Sequence, residues 1–135
     1  MNKSVVIDGA GAVLGRVASY AAKQALLGKE VAVVNCEKLV ISGNKKIILG
    51  KYKEVRAKGG SSQKGPYFPT QSARIMKRTI RGMLSHKEGR GAVAFKKIKC
   101  YEGLSKEFAE SKKEQFFQAR GMKTMTLAEV SEELR

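Results

Sequence analysis

The order of apolar patterns along the chain predicts an α/β layered fold. Ser4–Ile7 is a short run containing β-branched residues that ends at Asp8 and two glycines, as a strand running into a turn does. From Leu14 the residues Leu14, Val17, Ala18, Ala21, Ala22 and Ala25 recur at the spacing of one helix face, and Gly28 is placed to end that helix. Val31–Val34 is then uninterrupted apolar sequence, the pattern of a strand buried on both faces. Strand, helix and strand in about 35 residues make a parallel crossover unit.

The alternation continues. Lys38–Ile41 reads as a third strand, and Asn44 as the cap of a helix carrying Ile48, Tyr52 and Val55 on one face. Residues 57–70 lose all periodicity, and their glycines and serines predict a flexible loop ordered by a ligand. A helix follows over Ser72–Leu84, a short one over Ala92–Lys97, and a last strand over Ile98–Tyr101. Thr126 and Glu129 form a capping box ahead of Leu127, Val130 and Leu134. With 135 residues, 42% of them hydrophobic, the chain suits one packed domain. Residues 1–103 make its core and residues 104–135 a C-terminal extension of the same domain.

Charge narrows the function. The chain holds 27 Lys and Arg against 12 Asp and Glu, a net charge of +15. Residues 36–103 carry 17 of the basic residues and 4 of the acidic ones, so the excess is concentrated in the middle. A solubility coat would be spread evenly, whereas a binding footprint is local. Nucleic acid is the partner this implies. No apolar stretch is long enough to span a membrane, and Met1-Asn2-Lys3-Ser4 leads into no secretory leader, so the expected location is cytoplasmic. Cys36 and Cys100 form no CxxC pair, and with a single histidine they cannot complete a zinc site. Both are expected as buried small hydrophobes in a reducing compartment.

Chemistry for catalysis is scarce. Asp8 is the single aspartate and His86 the single histidine, with no nucleophile elbow or paired carboxylates around them. The expectation is therefore no enzyme, no cofactor, no small-molecule substrate and no membrane partner. One motif offers an alternative. Gly9-Ala10-Gly11-Ala12-Val13-Leu14-Gly15 joins a strand to a helix, with Glu37 after the next strand, much as in a dinucleotide-binding turn. The third glycine is one position late, because Leu14 stands where that motif needs glycine. A small dinucleotide-binding module using Gly9, Gly11 and Gly15 is the rival to nucleic-acid binding.

The strongest functional spacing lies at 72–84. Arg74, Lys77, Arg78 and Arg81 fall on one helix face, and Ala73, Met76, Ile80 and Met83 on a neighbouring one. One face can dock on a sheet while the other grips phosphates. No acid occurs between Arg56 and Lys87. Beside this helix, Tyr67 and Phe68 sit between Pro66 and Pro69 in a loop bracketed by Lys58, Lys64 and Arg74. Tyr67 there can stack on an unpaired base or pin the loop to the core. The glycine-rich turn after the helix holds His86, Lys87 and Arg90, and His86 can donate to a phosphate or be a solvated turn residue.

These residues carry a family resemblance. Arg78-Thr79-Ile80-Arg81-Gly82-Met83-Leu84-Ser85-His86-Lys87, followed by Arg90-Gly91, is similar to the signature of the large-subunit ribosomal protein thirteen family. Leu14-Gly15-Arg16-Val17-Ala18-Ser19, Val33-Val34-Asn35-Cys36-Glu37, Ile41-Ser42-Gly43-Asn44 and Gly65-Pro66-Tyr67-Phe68 resemble other segments of that family in the same order. The resemblance covers about residues 4–103, and the tail Met125–Leu134 resembles the archaeal branch. The family usually has proline where this chain has Ser85. The resemblance implies a three-layer α/β/α fold around a four-stranded parallel sheet of order 3-2-1-4. It implies a structural, non-catalytic constituent of the large subunit that binds large-subunit ribosomal RNA, assembles early and touches neighbouring ribosomal proteins. Arg74, Lys77, Arg78 and Arg81 are then the expected phosphate contacts, followed by Lys58, Lys64, Lys87, Arg90, His86 and Tyr67.

Overall fold

A computed structural model describes residues 4–57, 69–104, 113–114, 118 and 123–134. Strand β1 (Ser4–Asp8) runs parallel to β2 (Glu30–Val34), and helix α1 (Leu14–Leu26) makes the crossover between them. All six apolar positions on the expected face of α1 are buried. The helix stops in a Schellman motif: Gly28, at φ +96°, donates its N–H to Ala25 O, and the Lys29 N–H reaches Gln24 O.

Beyond β2 the chain departs from expectation. Asn35 takes a left-handed conformation at φ 57° and turns the chain into a 3-10 turn, Cys36–Lys38. Strand β3 (Val40–Ser42) therefore starts away from the sheet, and pairs antiparallel with β6 (Thr124–Thr126) instead. The third strand expected at 38–41 thus exists in shifted form but lies outside the parallel sheet. The place beside β2 belongs to β4 (Ile98–Cys100), which is parallel to it with Val31 opposite Ile98 and Val33 opposite Cys100. Local extended sequence predicts a strand here but does not name its partner. The parallel core is β4-β2-β1, and the two-residue β5 (Lys113–Glu114) pairs with the far side of β1.

The register sorts the side chains by face. Ile7, Val31, Val33 and Ile98 join the main core with α1, and Val5 and Cys100 pack against it. Val6, Ala32 and Val34 form a second buried cluster with Tyr101. Both faces are covered, as the continuous apolar runs require.

Helix α2 (Lys45–Ala57) begins where Asn44 Oδ1 accepts the Lys46 N–H at 2.9 Å. Helix α3 (Ser72–Arg81) inserts Ile75, Met76 and Ile80 into the main core. It ends three residues before the expected boundary, at Gly82. Helix α4 (Gly89–Lys96) begins three residues before its own expected start. Helix α5 (Leu127–Leu134) opens on Thr126, whose Oγ1 accepts the Glu129 N–H, and buries Leu127, Val130 and Leu134 as the capping box predicted.

Candidate nucleic-acid interface

Two helix ends and the turn between them hold most of the expected contacts. Arg74 and Arg81 stand exposed on α3, and Arg78 is half-exposed between them. Lys87 and Arg90 are exposed on the turn and the first residues of α4. One Arg90 guanidinium nitrogen lies 3.4 Å from Leu26 O at the end of α1, so the side chain is steered along the surface. No ion pair joins Arg74, Arg81, Lys87 or Arg90 to an acid among the described residues. Arginine forks of this kind suit phosphate oxygens.

Lys77 does not share this outward pose. Its Nζ donates to Phe95 O at 2.9 Å and to Ile98 O, and stands 4.3 Å from the centroid of the Phe95 ring. Those carbonyls lie at and just after the C-terminal end of α4, where a cation is favoured by the helix dipole. Burial pushes the Lys77 pKa below the usual lysine range. Lys77 therefore fastens α4 and β4 to α3. The helical spacing placed it in the basic stripe. Position 77 adjoins buried Met76, and its long stem can turn either way.

The apolar stripe shifts as well. Ser72, Ile75, Met76 and Ile80 are the buried face of α3, with Ala73 at its margin. Met83, expected on that face, is exposed because the helix has already ended. His86 is half-buried and leans on Phe95, with ring centroids 6.5 Å apart and a tilt of 57°. Phe95 thus receives Lys77 and His86 together and sets the turn against α3. Gly91 completes the joint: a Cβ there would overlap the Ser85 carbonyl and lie 2.9 Å from the Ser85 Cα. The close approach of turn and helix depends on that glycine.

Lys58, Lys64 and Tyr67, expected in the 57–70 loop, lie outside the described residues. Conversely, Lys99 was missed by sequence reasoning. It is exposed on β4 and lines a cavity with Arg74 and Lys77. The charge count for 36–103 included it, yet no periodicity links a strand residue to a helix 25 positions earlier. Lys46, Lys51 and Lys53 of α2 are exposed as well.

The dinucleotide alternative fails on hydrogen bonding. A pyrophosphate needs free backbone N–H groups at the first turn. Here Gly9 N–H goes to Val34 O, Gly11 N–H to Lys38 O and Ala12 N–H to Gly9 O. The Ala10 N–H is taken by Asp8 Oδ1 at 3.0 Å. The chain after Asn35 folds over the turn, with the Val40 N–H on Ala12 O. Gly11 keeps its φ of +73°, and a Cβ on it would meet Gln118 Oε1 at 2.6 Å. Glu37, cast for a ribose, accepts the Gly103 N–H instead, at 2.6 Å. The glycines serve packing. Among the described residues no three His, Cys, Asp or Glu side chains gather as a metal site, and no helix is long and apolar enough to cross a membrane.

The fold and this surface define a small α/β protein with an arginine-rich face built around one helix and the turn that follows it. The comparisons agree on what it is related to. Residues 2–107 match the family described as Ribosomal protein L13. The large ribosomal subunit protein uL13 of Archaeoglobus fulgidus is 42% identical over 132 residues, covering 93% of this chain and 84% of that protein. The protein of the same name from Methanocaldococcus jannaschii is 42% identical over 132 residues and covers 96% of each chain. That from Methanosarcina barkeri is 49% identical over 107 residues, 78% of this chain and 76% of its own. The chain belongs to the ribosomal protein L13 family, which is a family of structural ribosomal components and not of enzymes.

Proposed function

We propose that this chain binds and organises the RNA of the large ribosomal subunit, with the α3–turn–α4 joint as its principal contact surface. As a constituent of that subunit it works in the cytoplasm. The observation that carries the reading is the pose of Arg74 and Arg81, exposed on the face of α3 opposite its buried residues, with Lys87 and Arg90 beside them. Arg78 adds a third guanidinium to the face. The mechanism is electrostatic. Each cation that meets a phosphate releases condensed counterions, and a fixed set of cations holds RNA helices at a fixed separation. Specificity then comes from RNA shape and from unpaired segments more than from base edges.

Neighbouring large-subunit proteins and an early place in assembly belong to the same proposal. So do contacts from Lys58, Lys64 and Tyr67. We further read the sheet as the family's four-stranded 3-2-1-4 arrangement, supported by the pairing of Lys113–Glu114 with Val6–Ile7.

Replacing Arg78 and Arg81 together by Ala tests the surface. Affinity for a large-subunit RNA fragment is expected to fall. The slope of log K against log salt is expected to lessen by about 1.5, the share of two lost phosphate contacts. An unchanged slope in a folded double variant would move the interface off α3.

A further inference from the structure

The two cysteines are nucleophilic groups that RNA binding leaves unused. They are distant in sequence and adjacent in the fold. Cys36 opens the turn after β2 and is fully buried. Its N–H donates to Tyr101 O at 3.1 Å, and its Sγ lies 3.5 Å from Val33 O. Cys100 ends β4 and stands opposite Val33 in the sheet register. Both residues therefore meet at the end of β2 from two directions, the Cys36 N–H being held by the carbonyl of the residue that follows Cys100.

Their surroundings differ in a way that assigns separate roles. Cys36 has no access to solvent. Cys100 is half-buried, and it lines a cavity of about 330 Å3 together with Arg74, Lys77 and Lys99. A thiol must be reached by solvent and oxidant to react, and the half-buried Cys100 is reached through this cavity. The sequence expectation of two buried thiols holds for Cys36 alone.

We propose that Cys100 and Cys36 form a peroxide-sensitive dithiol, in which Cys100 reacts first and Cys36 closes the bond. The Cys100 thiolate attacks one oxygen of hydrogen peroxide. The O–O bond breaks, the sulfur becomes a sulfenic acid, and the departing hydroxide becomes water by taking up the proton that the Cys100 thiol released to solvent on ionising. The Cys36 sulfur then attacks the Cys100 sulfur. The S–O bond breaks, and the leaving hydroxide takes the Cys36 proton as a second water. Two thiols are oxidised to one disulfide and one peroxide is reduced to two waters. The adjacent Cys100 thiol and burial push the Cys36 pKa far up, so Cys36 is a thiol in the reduced fold and gives up its proton only as its sulfur bonds to Cys100. The disulfide would lock the end of β2 to β4, directly behind Arg74 and Lys77.

The test uses the full chain, reduced and then treated with hydrogen peroxide, followed by digestion and mass spectrometry without reductant. The expected product is one intramolecular link between the Cys36 and Cys100 peptides, reversed by dithiothreitol. In untreated protein, iodoacetamide should label Cys100 at least about tenfold faster than Cys36. Cys36→Ser should leave Cys100 as a sulfenic acid that dimedone captures, whereas Cys100→Ser should leave Cys36 unlabelled. A disulfide only between two copies, over-oxidation of Cys100 with Cys36 still a thiol, or equal labelling rates in the folded wild-type chain would each overturn the proposal.

Discussion

Gly91→Ala is expected to destabilise the protein by about 2–3 kcal/mol, seen as a lower urea midpoint at unchanged slope. Alanine normally improves a helix position by up to about 1 kcal/mol over glycine, so intrinsic propensity points the other way. The clash decides the sign. The added methyl would overlap the Ser85 carbonyl, which is backbone and cannot rotate aside. Either α4 or the turn 82–88 must move, and with it Lys87, Arg90 and the His86–Phe95 contact. Gly89→Ala in the same helix is the control. A Cβ there meets nothing within 4 Å, so that variant should be neutral or slightly more stable. If the two substitutions behave alike, the tight joint between turn and helix is not a determinant of stability.

Lys77→Met is expected to cost about 2 kcal/mol at neutral pH while leaving the salt dependence of RNA binding nearly unchanged. The substitution keeps most of the apolar stem but leaves Phe95 O and Ile98 O without their donor, and removes the cation from the Phe95 ring. Stability also acquires a pH signature. Burial lowers the Lys77 pKa in the folded state, so over the window just below the usual lysine range the unfolded chain binds more protons than the folded one. Stability contributed by Lys77 must therefore rise with pH through that window. The neutral amine still donates hydrogen bonds, so the contacts survive deprotonation. The stability gap between wild type and Lys77→Met should widen as pH rises through the window just below the usual lysine range. A gap that is constant or narrows there would contradict the buried pose. A lost salt slope with intact stability would return Lys77 to the phosphate-binding set.

Helix α1 was fully legible in the sequence because its six apolar positions and Gly28 repeat a local rule, and the structure buries all six. The arginine face was legible for the same reason. Lys77 was not, since helical spacing fixes a direction at Cα but not the path of a long side chain at the margin of the buried face. The position of β3 was hidden because Val40–Ser42 pairs with Thr124–Thr126, more than 80 residues away. No local pattern encodes a partner at that distance. The glycine turn misled in an instructive way. Its residues match a phosphate-binding turn, but its N–H groups are satisfied by Val34, Asp8, Lys38 and Gly9. The meeting of Cys36 with Cys100 was equally invisible, because it depends on which strand lies beside β2.

Arginine footprinting of the native large ribosomal subunit tests the proposed interface most directly. Subunits and free protein are treated in parallel with an arginine-specific dicarbonyl reagent at low salt, and modified peptides are measured by mass spectrometry. Arg74 and Arg81, exposed in the isolated fold, should react at least about tenfold more slowly within the subunit. The protection should vanish when the RNA is digested by nuclease. Equal reactivity of both arginines in the subunit and in the free chain would show that the α3 face does not meet RNA.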